Sequence, residues 1–176
     1  MSTSRPALVA SYRVQLTPNF GFDQAAGLLD HLGALGVSHV YVSPIAEAIP
    51  GSLHGYDVID HTVVRADFGG ADGLERLLDA ADRYGLGVVI DHVPNHMSAA
   101  EAHLNDRWWE MLRDGPSSPS AAWFDVDWVG GGGKVLVPKL GAPLGEIIAG
   151  GGLELGAGDL GPELRCGPLR FPLAPG

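Results

Sequence analysis

The spacing of apolar residues changes period several times along the first hundred positions. Over residues 8–16 (LVASYRVQL), β-branched, aromatic and apolar residues fill a strand's length and stop at Thr17-Pro18-Asn19, a turn signal. From Asp23 onward Ala25, Leu28, Leu29, Leu32 and Leu35 recur at three- and four-residue spacing, with Gly36 in the place of a helix stop. That spacing predicts a first helix. Residues 37–45 (VSHVYVSPI) read as a second strand, apolar enough to be buried on both faces and ended by Pro44. A long loop is expected from there to about Gly70. Asp72 with Glu75 then forms a capping pair ahead of Leu74, Leu77, Leu78 and Ala81, and Gly85 closes this second helix. Residues 86–93 (LGVVIDHV) give a third strand, polar only at its carboxyl end, where Asp91, His92, Asn95 and His96 crowd together.

This order predicts an α/β fold with parallel strands and right-handed crossovers, in either a doubly wound sheet or a TIM barrel. Both architectures place ligands at the carboxyl ends of the strands. Beyond Met97 the rhythm breaks. Pro, Gly and Ser become frequent, Trp108 and Trp109 stand together, and Gly130–Gly133 is a run of four glycines. Residues 98–176 therefore read as an inserted small lobe, flexible in its glycine-rich part.

Composition narrows the partners. With 176 residues, 45% of them hydrophobic and 18% charged, the chain can build a core. Eleven Lys and Arg against 21 Asp and Glu give a formal charge of −10, which repels nucleic acid and anionic lipid. Cys166 is the only cysteine, the first ten residues lack the apolar stretch of a signal peptide, and no segment reaches the ~20 apolar residues that span a bilayer. A soluble cytoplasmic protein is expected.

Three patterns mislead. Gly156 to Gly161 matches the dinucleotide fingerprint GxGxxG, but Pro162 and a Pro-rich tail follow where a helix is required. Lys134 follows the glycine run as in a P-loop, but Val135 replaces the needed Ser or Thr. His92 and His96 stand four apart like two zinc ligands on a helix. Pro94 between them holds Val93 extended, so the imidazoles need not converge, and hydrogen-bonding roles fit them better. Neither a cofactor nor a metal is expected.

Two clusters are more informative. Asp91-His92-Val93-Pro94-Asn95-His96 sets a carboxylate, an amide and an imidazole at a strand end, the mixture of donors and acceptors that sugar hydroxyls need. Taken alone, these groups serve equally well to tie the strand end to its loop. His54-Gly55-Tyr56-Asp57 follows the second strand and so stands at the same face. Tyr can stack on a pyranose, His can donate to a hydroxyl, and Gly lets the backbone pass close to a ligand. Two such clusters on neighbouring strand ends favour a binding site.

Asp91 through His96 resembles the first signature region of the alpha-amylase family (glycoside hydrolase family 13), Asp-x-x-x-Asn-His, and Gly55-Tyr56-Asp57 resembles that family's loop after its second strand. Within the family, SYRVQL (11–16), the PGS and HGYDV stretches of residues 43–60, WWEML (108–112), FDVDW (124–128), KVLVPKLG (134–141) and RFPLAPG (170–176) are similar to a subgroup that rearranges glucans instead of hydrolysing them. The resemblance implies the N-terminal part of a TIM (β/α)8 barrel, about three βα units over residues 1–97, followed over 98–176 by the start of an inserted small domain. It implies an isomerase acting on malto-oligosaccharides, which moves the reducing-end α-1,4 linkage to α,α-1,1 through a retaining mechanism, with a glucan hydrolase of the same family and a non-enzymatic carbohydrate-binding remnant as the alternatives. Asp91 would hold the hydrogen-bond network around the reacting sugar, Asn95 would brace the loop of the adjoining small domain, and His54 and His96 would bind glucose hydroxyls. Tyr56 would stack beneath that glucose, and Asp57 would orient the loop or touch a sugar. His92 departs from the aliphatic residue usual there, and strand alternation turns it away from Asp91, so little effect on the site is expected. The nucleophile and acid/base of the family stand on the fourth, fifth and seventh strands, so none is expected among these residues. A structural calcium beside Asn95, present in some amylases, stays open. A complete barrel takes ~250 residues, so the chain is expected to be a fragment, inactive alone.

Overall fold

The computed structural model describes residues 6–174, which divide between Ser98 and Ala99 into two compact units. In the first, three short strands, β1 (Ser11–Val14), β2 (His39–Val42) and a later one, Gly87–Ile90, form a parallel sheet with β2 in the middle. Between β1 and β2 lie the helices α1 (Phe22–Ala26) and α2 (Leu29–Ala34). The expected single helix is broken at Gly27 and Leu28. The break turns the apolar stripe, so Ala25, Leu29 and Leu32 are buried while Leu28 and Leu35 remain exposed.

The segment expected to be a long loop holds an antiparallel hairpin of β3 (Ala46–Ala48) and β4 (Val58–Val64). Its register shifts around Glu47, and such irregular pairing hides the two-residue period by which a strand is read from sequence. Arg65 pins this segment. It is 2% exposed, donates from Nε and Nη2 to Asp67 at 3.0 and 2.6 Å and from Nη1 to the Ser52 carbonyl at 3.1 Å, and lies 4.2 Å over the Phe68 ring. A buried guanidinium is tolerated when its donors find partners in this way.

Helix α3 (Gly70–Arg83) leads to the third parallel strand, β5 (Gly87–Ile90). Asp72 does not cap it. The helix begins two residues earlier, with Gly69 at the N-cap, which leaves Asp72 in the first turn, where its charge complements the helix dipole. Val14, Leu16, Val40 and Val42 face the helices and join Phe22, Leu29, Leu77, Ala80 and Leu86 in one apolar core. By alternation Arg13, Gln15, His39, Tyr41, Val89 and Asp91 share the opposite face, with Arg13, Tyr41 and Val89 in register. This face is less buried and more polar than the expected doubly buried strands. A Cβ at Gly87 would stand 2.3 Å from the His39 ring, so a side chain there would displace that imidazole.

The second unit contains α4 (Asp106–Asp114), α5 (Leu144–Ala149) and a three-stranded meander of β6 (Glu154–Gly158), β7 (Gly161–Cys166) and β8 (Leu169–Pro172). The GxGxxG pattern is the tight turn between β6 and β7, with Gly158 paired to Gly161, and no helix follows. Gly130–Gly133 forms turns closed on Asp127 and Trp128, and the residues directly after it, 134–140, are neither helix nor strand. Among the described residues no helix is long and apolar enough to cross a membrane.

Candidate sugar-binding site

The site gathers where β1, β2 and β5 end, on the polar face of the sheet. Asp91 directly follows β5, its backbone N–H donating to the Val42 carbonyl at 2.9 Å, which fixes where the carboxylate leaves the sheet. Tyr56 donates its hydroxyl to Asp91 Oδ2. Arg13 Nη2 lies 3.4 Å from the Tyr56 hydroxyl and 3.8 Å from Asp91 Oδ2, while Nη1 donates to Gln15 at 3.0 Å. Its guanidinium stands 5.6 Å from the Tyr41 ring centre. The Tyr41 hydroxyl is hydrogen-bonded to Asp91, so the carboxylate holds that phenol proton above its usual range. The bond to Tyr56 likewise raises the Arg13 guanidinium, so it stays charged.

The loop carrying Tyr56 is tied internally. Ser52 donates its hydroxyl to Asp57 at 2.5 Å and accepts the Gly55 N–H at 3.1 Å. The Tyr56 N–H donates to His54 Nδ1 at 3.0 Å, which puts the His54 proton on Nε2, 3.8 Å from Asp57, and the His54 and Tyr56 rings stack at 6.0 Å. Gly55 passes through the left-handed region at φ 78°, with a would-be Cβ 3.0 Å from the Pro44 carbonyl, so the turn needs glycine. Asp57 is thus spent inside its own loop, whereas His54 is largely open to solvent.

The segment after β5 is fastened to the β4 hairpin. The Ser98 N–H donates to the Val58 carbonyl at 2.6 Å, His61 Nε2 donates to the His96 carbonyl at 3.3 Å, and His96 Nε2 donates to the Tyr56 carbonyl at 3.0 Å. His96 Nδ1 lies 3.1 Å from the Asn95 side-chain oxygen Oδ1. Asn95 thus lies against His96. His92 points elsewhere, its ring edge-on to His61 at 5.4 Å. Among the described residues no three His, Cys, Asp or Glu side chains gather to hold a metal ion. A cavity of about 310 Å³ opens here, with Tyr56, His61, Ile90, Asp91 and His92 in its wall.

Of the residues singled out in the sequence, Tyr56, Asp91 and His96 form one connected unit, with Asn95 and His54 at its margins and Asp57 behind it. Arg13, Tyr41 and His61 complete the network without having been singled out. Arg13 and Gln15 alternate with the buried Val14 and Leu16, a pattern that marks a polar sheet face. His61 sits in the β3–β4 hairpin, whose irregular register hides its strand pattern.

The chain is similar to known proteins along most of its length. The alpha amylase catalytic domain family matches residues 25–139. A Mycobacterium tuberculosis protein described as a maltooligosyl trehalose synthase is 44% identical over 174 residues, 96% of this chain but 22% of its own length. The solved maltooligosyltrehalose synthase from Arthrobacter ramosus is 41% identical with a TM-score of 0.86, over 95% of this chain and 21% of that one. A Sulfolobus tokodaii protein described in the same terms is 34% identical with a TM-score of 0.79, over 94% and 21%. The chain spans about a fifth of the length of these relatives. With the family pattern running through both helix–strand units and the strand-end cluster, the chain belongs to the alpha-amylase family, whose catalytic domain has a TIM-barrel-type fold.

Proposed function

We propose that these residues form the sugar-holding part of a malto-oligosyltrehalose synthase, a (1→4)-α-D-glucan 1-α-D-glucosylmutase that converts the reducing-end α-1,4 linkage of malto-oligosaccharides to α,α-1,1. The observation that carries the reading is the network joining Tyr56, Asp91 and His96 at the strand ends. Residues 1–97 supply about three βα units of the catalytic barrel, and 98–176 begin an inserted small domain. Asp91, oriented by Tyr56, Tyr41 and Arg13, fixes the hydrogen-bonding pattern around the reacting glucose. His96 and His54 bind its hydroxyls, the Tyr56 ring packs against it, Asn95 braces its own loop, and Asp57 orients the loop that carries Tyr56.

A retaining mechanism needs one carboxylate as nucleophile and a second carboxyl as acid/base. In this reading Asp57, bonded to Ser52, and Asp91, bonded to Tyr56, serve to position groups, and the nucleophile and acid/base stand outside these residues. What this chain contributes is position: a glucosyl unit held by a rigid shell of hydrogen bonds reaches the transition state with less ordering left to do. The free, half-buried Cys166 fits a reducing cytoplasm.

The test is incubation of maltopentaose with the longest natural polypeptide containing these residues. The synthase reading expects reducing ends to disappear with little free glucose. New reducing ends would identify a hydrolase of the same family, and no change in the glucan would overturn the reading.

A further inference from the structure

We infer that His61, on β4, is a positioning residue for His96, held in its working orientation by the ring of His92; the inference rests on the proposed role of His96 in binding a glucosyl unit. His61 Nε2 lies 3.3 Å from the His96 carbonyl oxygen, and a carbonyl can only accept, so Nε2 carries the proton. In the neutral ring Nδ1 then keeps a lone pair. That atom is buried and has no hydrogen-bond partner. Buried polar atoms seldom stay unpaired without a compensating reason. Flipping the ring to serve Nδ1 would release the His96 carbonyl, and the perpendicular His92 ring at 5.4 Å packs against the orientation observed.

The consequence reaches the site by a short route. The backbone of His96 is held by His61, its imidazole donates to the Tyr56 carbonyl at 3.0 Å, and the Tyr56 hydroxyl donates to Asp91. The Ser98–Val58 bond anchors the same segment on the same strand, so His61 sets the fine position of a loop already attached. By strand alternation His92 points to the other side of the strand from Asp91, and it acts on Asp91 and Tyr56 only through His61.

The proposal is tested in the longest natural polypeptide containing these residues. His61→Phe keeps a ring against His92 but removes the donor, whereas His61→Gln keeps an N–H donor of similar reach. For His61→Phe, kcat/KM on maltopentaose is expected to fall roughly fivefold, the scale of one lost hydrogen bond, with His61→Gln within about twofold of the parent. Because His61 acts through His96, adding His61→Phe to His96→Ala should cost nothing further. Equal losses in His61→Phe and His61→Gln, or losses that multiply with His96→Ala, would overturn the proposal. If the parent converts no malto-oligosaccharide, the functional reading fails on its own. The NMR signals of the His96 imidazole then decide: a shift in His61→Phe but not in His61→Gln upholds the positioning role, and no shift in either overturns it.

Discussion

The two units of this chain are stabilised in different ways. The first rests on a contiguous apolar core, in which Phe22 meets Phe68 edge-on at 6.1 Å and the buried faces of α1, α2 and α3 close over the sheet. The second buries few large apolar side chains, chiefly Trp109 and Met111, and shares its interior with Asn105, Ser118, Ser120 and Glu163. Each of these polar groups has partners. Asn105 caps α4 by accepting the Trp108 N–H at 3.1 Å, Ser118 accepts the Ser120 N–H at 3.0 Å, Ser120 donates to Glu110, and Glu163 is clasped by Arg165 at 2.5 Å and Arg170 at 2.8 Å. An apolar core tolerates loss of a hydrogen bond but not loss of volume. A polar interior behaves the other way, because an orphaned buried group keeps its full desolvation cost.

The largest expected effect breaks the first unit. Phe22→Ala removes a fully buried ring against Phe68 and Gly73 and should cost about 3–5 kcal/mol, read as an earlier denaturant midpoint for that unit. Next is Glu163→Gln, which leaves two guanidiniums facing a neutral amide. Hydrogen bonds from Arg170 and Arg165 hold the Glu163 carboxyl below its ordinary 4.5. Its ionised form therefore contributes stability above pH 4.5, and that contribution is lost as the pH falls through the lowered value. Thermal melts should show Glu163→Gln several degrees less stable at pH 7, with the gap closing in acid. A constant gap would contradict the clasp. The smallest effect is at Asp23, whose bidentate pair with Arg76 at 2.8 and 2.9 Å lies at the surface. Asp23→Asn should leave the melting curve unchanged, since exposed ion pairs are screened.

Legibility in the sequence follows the same division. The parallel strands and α3 could be read because a single apolar core imposes clear periods on Val40, Val42, Leu77 and Ala81. The break at Gly27 could not, since Leu28 continues the apolar spacing although the turn exposes it. The β3–β4 hairpin stayed hidden behind its irregular register, and with it His61. At the site, Asp91, Tyr56 and His96 stood out because polar residues at a strand end need a reason. Arg13 and Tyr41 did not, because their polarity makes sense only once β1 and β2 are known to share a polar face. In the second unit the elements follow from local pairing and capping, which leave little periodic trace.

The most direct test of the central claim is a crystal structure of the longest natural polypeptide containing these residues with maltopentaose bound. The account predicts a glucosyl ring packed on Tyr56, with hydroxyls in hydrogen-bonding reach of Asp91 and His96. A glucan bound elsewhere, with those three side chains bare, would contradict it.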